Sequence, residues 1–304
     1  MKNNKILAIR CLAYNHERTI RQCLEGFVNQ KTKYRFDVIV HDDASTDNTA
    51  SIIREYEKKY PDIIKPIYEK ENQYAHPGSL DKIMDNAAKD YKYVAICEGD
   101  DYWTDPYKLQ KQISFLEKHL EYSMCCSNAI IVTPNGEKDW SISKNDIDLK
   151  IEDLIKKGGL YIATASIVYR REVKDDYPEY CKKCRVGDHP LQIMCGLKGK
   201  VRYLSSKMVA YRYGIGDSWS ATRKKQDIHK LIEDIPHMTL DEEAFNRMKR
   251  NNIGTLIGFF NSIETIASLF SQYYLEGINL FDLFEAYQAL TIDDIKNILP
   301  DNSI

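Results

Sequence analysis

Short apolar runs alternate with amphipathic segments along roughly the first 120 residues. Four runs read as strands: Ile6 to Leu12, Phe36 to His41, Ile63 to Tyr68 and Tyr93 to Cys97. All are rich in β-branched or aromatic residues and bounded by polar turn residues. Between the first two, Ile20, Cys23, Leu24, Phe27 and Val28 share one face of a helix that ends near Gln30. A second helix, with Thr46 or Asp47 as N-cap, carries Ile52, Ile53 and Tyr56 toward Tyr60-Pro61. A third runs from Leu80 to about Lys89, and a fourth opens at Pro106, where proline suits a first helical turn. The order β-α-β-α-β-α-β-α with right-handed crossovers predicts an α/β fold with a parallel, doubly wound sheet.

The pattern changes near residue 120. Met124 to Val132 reads as a strand, Pro134-Asn135-Gly136 as a turn and Ile162 to Tyr169 as another strand. A helix follows from Pro190 to Lys198, closed by Gly199, with strands at Val201 to Leu204 and Met208 to Tyr213. The sheet is thus expected to continue as a mixed one. From about residue 224 every segment looks helical: Ile253, Leu256, Ile257, Phe260, Ile263, Ile266 and Ala267 continue one apolar face. The expected division is an α/β domain over 1–222 and a C-terminal helical subdomain over 223–304. An exposed apolar face on the tail would suit a homodimer.

Composition narrows the class. The chain has 304 residues, 43% of them hydrophobic and 29% charged, which suffices for one large core with a small appendage. A formal charge of -2 with interspersed signs and no basic, aromatic-interleaved cluster argues against a nucleic-acid partner. No apolar run approaches membrane-spanning length, and the start reads into a strand, so a cytoplasmic location is expected. Eight scattered cysteines suit small buried hydrophobes in a reducing compartment. Cys181 and Cys184 form a single C-x-x-C without a second pair at zinc spacing, which favours a plain loop over a metal site.

The chemistry lies in two acidic clusters, Asp42-Asp43 and Glu98-Gly99-Asp100-Asp101, each just after a predicted strand. In a parallel sheet both emerge at the carboxyl edge, where open α/β sheets form their ligand crevice. Converging carboxylates are costly unless a cation sits among them, and a hard divalent ion with oxygen ligands fits. Such an ion would hold phosphate.

The motifs resemble those of the family 2 nucleotide-sugar glycosyltransferases, which have the GT-A fold. The resemblance is carried by Ala13-Tyr14-Asn15, by the segment from Asp42 to Thr49, by Glu98-Gly99-Asp100-Asp101-Tyr102-Trp103 with Pro106 and Leu109 behind, and by Gly187-Asp188-His189 and Tyr211-Arg212. It reaches to about residue 220. By that resemblance Leu12, Ala13, Tyr14 and Asn15 line the base and ribose pocket, and Asp43 accepts a hydrogen bond from the base. Asp100 and Asp101, with Glu98 less directly, hold the ribose and a Mn²⁺ or Mg²⁺ ion that bridges the diphosphate. Glu98 stands where an aspartate is more usual, so Asp101 is the preferred direct ligand. Asp188 corresponds to the base that deprotonates the acceptor hydroxyl, and Arg212 is a diphosphate contact or a structural ion pair. Trp103, His189 and Trp219 are candidates for stacking on sugar or acceptor. Donor discrimination is expected in the loop from Glu71 to Ser79.

The implied activity is inverting transfer of a hexose or N-acetylhexosamine from a UDP-sugar to a hydroxyl of a glycan or lipid-linked saccharide. Surface polysaccharide assembly, with peripheral contact at the inner membrane face, is the implied setting. Residue by residue, simpler roles remain open: Asp42 and Asp43 as turn residues, Asp188 as a helix cap, the aromatics as core. A Rossmann dehydrogenase or a nucleotidyltransferase would need a glycine-rich loop after the first strand, and Cys11 to His16 has no glycine. The alternative of a different class is a GT-A-like scaffold that binds nucleotide or sugar without turnover.

Overall fold

The computed structural model describes residues 6–216 apart from 75, 77, 158, 176 and 178–186. The chain divides into two units, and all described residues fall in the first, Met1–Lys183 with Gly187–Arg223. The tail helices, the C-x-x-C and Trp219 lie outside the described residues.

β1 (Leu7–Ala13), α1 (Ile20–Val28), β2 (Phe36–Asp42), α2 (Thr49–Lys59), β3 (Ile64–Tyr68), α3 (Ser79–Ala87) and β4 (Tyr93–Ile96) follow one another as the apolar pattern predicts. After a two-residue β5 (Tyr102–Trp103) come α4 (Lys108–Lys118), β6 (Tyr122–Thr133), β7 (Gly136–Trp140), β8 (Ile147–Leu149) and α5 (Ile151–Lys156). β9 (Val168–Arg170), α6 (Asp188–Lys198) and β10 (Lys200–Arg212) complete the described elements. One mixed sheet has the order β3-β2-β1-β4-β9-β6-β10-β5, with β7 paired to β6 and β8 to β10.

β1 pairs parallel with β2 and β4, and β2 with β3, so four strand ends emerge together. β9 runs antiparallel to both β4 and β6, and β10 runs parallel to β6. The carboxyl ends of β6 and β10 therefore reach the same edge as those of β1, β2 and β4. Helices cover both sheet faces, and this explains why β1, β2 and β4 read as near-continuous apolar runs rather than alternating ones. Along β1, Leu7, Ile9, Cys11 and Ala13 join a core cluster with α1, α2 and α4 residues. Strand alternation turns Arg10 to the other face, where its guanidinium meets Asp81 of α3 at 2.8 Å.

Two expectations need correction. Ile162 to Tyr169 is not one strand: 3-10 turns at Gly159–Tyr161 and Thr164–Ser166 precede the short β9. Side chains satisfy this segment's carbonyls in place of a ladder, with Trp103 Nε1 donating to Ala165 O at 3.0 Å and Gln112 Nε2 to Ser166 O at 2.8 Å. The two strands expected near residues 201 and 208 are one, β10, irregular around Leu204 to Val209 where its register against β6 shifts. The six described cysteines, Cys11, Cys23, Cys97, Cys125, Cys126 and Cys195, are free and buried. No helix among the described residues is long and apolar enough to cross a membrane.

Candidate active site

At the β1 and β2 ends, two loops are laced together by side chains. Asn15 Oδ1 accepts from Thr46 N at 2.8 Å, while Asn15 N donates to Ser45 Oγ at 3.0 Å. His16 N reaches Thr49 Oγ1 at 2.7 Å, Glu17 N reaches Asp47 Oδ2 at 3.0 Å, and Glu17 Oε2 accepts from Asn48 Nδ2 at 2.9 Å. Asn15 and Ala44 hold positive φ angles of 56° and 59°. Asparagine tolerates that region, but alanine is strained there, as backbones at ligand sites often are.

Asp43 is 3% exposed and adjoins β1 through its N–H, which donates to Ala13 O at 2.9 Å. Its carboxylate accepts from Gln73 N at 2.6 Å and Tyr74 N at 3.0 Å, so the loop expected to discriminate donors is anchored on the residue expected to read the base. Each carboxylate oxygen keeps a second lone pair for a ligand N–H. Tyr14 and Tyr74, exposed at 44% and 45%, stand on the two segments bonded to Asp43. The Glu71 to Ser79 reading had given no role to Tyr74; its signal is the exposed ring beside a buried carboxylate.

The acidic loop follows β4. Asp100 and Asp101 are 6% and 3% exposed, and Asp101 Oδ1 accepts from Arg212 N at 2.9 Å. Burial and the neighbouring Asp100 push the Asp101 carboxyl well up. Burial also pushes Glu98 up to about 8, opposed by Arg10 and reinforced by Asp100 and Asp188. Arg212 donates through Nη1 to Asp100 O and through Nη2 to Gln22 Oε1, and its guanidinium lies 4.5 Å from the Tyr102 ring centroid. These bonds, with the charge of Arg212 acting on Asp101, make Arg212 a clamp that shapes the acidic loop.

Glu98, Asp100 and Asp101 offer an all-oxygen, anionic donor set whose mutual repulsion a hard divalent cation would relieve, so the residues fit such an ion. Among the described residues no three His, Cys, Asp or Glu side chains are arranged to hold a metal by themselves. The remaining ligands of such an ion would come from diphosphate and water.

Asp188 opens α6. Its Oδ2 accepts from Thr164 Oγ1 at 2.8 Å and its Oδ1 from His189 N at 2.8 Å. Thr164, in the turn misread as strand, is a site residue that the sequence reading passed over. A Cβ at Gly187 would meet Asp81 Oδ2 at 3.3 Å, so the start of α6 sits closely on the Arg10–Asp81 pair.

Two stacking candidates are corrected by burial. Trp103 is 5% exposed, packs edge-on against Phe27 with centroids 4.8 Å apart and carries the Lys108 ammonium 4.2 Å from its centroid. His189 is fully buried, with Nε2 at 3.0 Å from Leu154 O, and burial lowers its pKa. Neither ring has a face for a sugar.

One sheet edge thus gathers the acidic loops that follow β2 and β4, and the Asp188 carboxylate opens α6. Residues 11–177, more than half of the chain, match the sequence profile of Glycosyl transferase family 2, and the chain belongs to that family. An uncharacterised protein of Mycobacterium tuberculosis is 36% identical over 225 residues, covering 72% of this chain and 63% of that protein. The chain thus spans less than two thirds of that relative's length. Two solved structures share the GT-A fold. S. aureus TarS 1-349 in complex with UDP-GlcNAc has a TM-score of 0.60 and 14% identity, over 95% of this chain and 77% of that one. The mannosyltransferase PcManGT of Pyrobaculum calidifontis, in complex with GDP-Man and Mn²⁺, has a TM-score of 0.52 and 15% identity, over 97% and 83%.

Proposed function

We propose that the protein is an inverting glycosyltransferase that moves a hexose or N-acetylhexosamine from a UDP-sugar to a hydroxyl of a glycan or lipid-linked saccharide. The observation that carries this reading is the convergence, on one sheet edge, of Asp43, the Asp100–Asp101 loop and Asp188. Asp43 and the laced loops at Asn15 bind the nucleoside, with Tyr14 against the base. Asp101 and Asp100, with Glu98 behind them, would hold a Mn²⁺ or Mg²⁺ ion, which would supply electrostatic stabilisation of the departing nucleoside diphosphate. Arg212 keeps those carboxylates in place through its backbone N–H and its bond to Asp100 O. Thr164 Oγ1 and the His189 N–H each engage one oxygen of Asp188, and the second lone pairs of that carboxylate take the acceptor proton as the hydroxyl attacks the anomeric carbon. A single displacement of this kind inverts the anomeric centre. TarS is bound to UDP-GlcNAc and PcManGT to GDP-Man with Mn²⁺, which supports a nucleotide-sugar donor and a metal-assisted reaction, and the choice of uridine rests on the family resemblance. Assembly of a surface polysaccharide, at the inner membrane face, is the setting the family resemblance suggests.

The test is UDP release from UDP-glucose, UDP-galactose and their N-acetylated counterparts with Mn²⁺, alongside the Asp101→Ala variant. Release above background from one donor, lost on chelation and cut by roughly 10- to 100-fold in Asp101→Ala, is expected. Release from none of them, with UDP still bound, would favour the non-catalytic scaffold.

A further inference from the structure

With Trp103 and His189 buried, the site needs another surface for a sugar ring, and the end of β10 carries one. Tyr211 and Tyr213 flank Arg212, whose N–H holds Asp101 at 2.9 Å, so both residues adjoin the acidic loop. Trp140, the last residue of β7, meets Tyr211 edge-on with centroids 5.2 Å apart, and Tyr211 lies 6.5 Å from the Tyr213 ring. All three are only partly buried, unlike Trp103. Burial pushes the Tyr211 phenol pKa up, and the charges of Asp101, Asp100 and Asp188 push it the same way.

Position along the sheet decides which sugar this strip would meet. The nucleoside loops sit at β1 and β2 and the acidic loop follows β4, whereas the aromatic residues stand at the ends of β10 and β7, which flank β6 on its two edges. The acidic loop is tied to β1 by Gly99 N on Leu12 O and to β10 by Arg212 N on Asp101, so it runs between the nucleoside loops and the aromatic strip, and Tyr211 on that strip lies within electrostatic reach of Asp188. Tyrosine and tryptophan combine a rigid apolar face with a polar edge, which matches the apolar face and hydroxyl rim of a pyranose.

The geometry points to Trp140, Tyr211 and Tyr213 as an acceptor-binding platform that takes a pyranose ring of the acceptor saccharide beside Asp188. This assignment rests on the transferase reading for its direction and adds to it the residues that hold the acceptor's sugar ring. It also gives the β6–β7 hairpin a function, since Trp140 is delivered by an otherwise exposed, charged strand.

Nitrogen-15 spectra of the full chain with UDP and Mg²⁺, titrated with the methyl glycosides of glucose, galactose and N-acetylglucosamine, test the platform. The chain has three tryptophans, so the indole N–H signals are assigned by single Trp→Phe variants. A saturable shift of the Trp140 signal with at least one glycoside is expected, with the Trp103 signal unmoved. Tyr213→Ala should weaken that response several-fold while the UDP response stays. A UDP response with no Trp140 shift from any glycoside overturns the platform and leaves the transferase reading standing. A Trp140 response without any UDP response leaves a sugar-binding surface but overturns its role as an acceptor platform together with the transferase reading.

Discussion

The two ends of the sheet's carboxyl edge are built on opposite plans. At the β1–β2 end, backbone groups are held by short polar side chains, from Asn15 to Thr49, and two residues take left-handed conformations. At the β10–β7 end a bulged strand and a hairpin present partly exposed aromatic rings. A pre-shaped polar cradle suits a ligand of fixed chemistry, such as a nucleoside diphosphate. A ring surface tolerates variation in hydroxyl pattern, which suits a saccharide acceptor. The acidic loop stands between them and is tied to both, through Gly99 N to Leu12 O at 2.8 Å and through Arg212.

The largest expected effect separates the two ends. Asp188→Ala should lower transfer by about 10²- to 10⁴-fold while UDP affinity stays within error, read by product formation and by calorimetry. Equal transfer by this variant would remove Asp188 from the chemistry.

A second effect concerns the floor beneath the acidic loop. Lys108 is fully buried, its Nζ has no hydrogen-bond partner, and burial pulls its pKa down to about 7 from 10.5. Between these values the unfolded chain binds more protons than the folded one, so this residue makes stability rise with pH from about 7 to 10.5. Lys108→Met should flatten that rise and add on the order of 2 kcal/mol at pH 7, measured by urea unfolding across the range. An unchanged pH slope would show that the ammonium is solvated in the folded state.

Smaller effects sharpen the contrast. Thr164→Val should lower kcat by about tenfold with donor KM unchanged, and Thr164→Ser should restore it, because only the hydroxyl bonds Asp188. Ala44→Gly relieves the positive φ and should raise stability by up to about 1 kcal/mol, while loosening the cradle enough to weaken UDP binding. Stability unchanged by Ala44→Gly would mean the loop carries no strain.

The same contrast explains what the sequence made legible. Parallel central strands buried on both faces leave continuous apolar runs, so β1, β2 and β4 and the acidic clusters at their ends could be read locally. The aromatic end depends on contacts between distant residues. Arg212 N meets Asp101 across 111 positions, which fixes a clamp that no local pattern announces. Trp103 was open to either reading until two remote contacts closed it: Gly26, where a Cβ would come within 3.0 Å of Trp103 N, and Ala165 O, which takes its indole N–H. Trp140 sits in the run Gly-Glu-Lys-Asp-Trp, whose exposed, polar character hides a ring that matters only once β7 folds back on β6.

The most direct measurement is calorimetric titration of the purified chain with UDP and, separately, GDP, each with Mn²⁺ and again with excess chelator. Binding of UDP that requires Mn²⁺, with GDP bound far more weakly, is the predicted result. Absence of nucleotide binding under every condition would contradict the account.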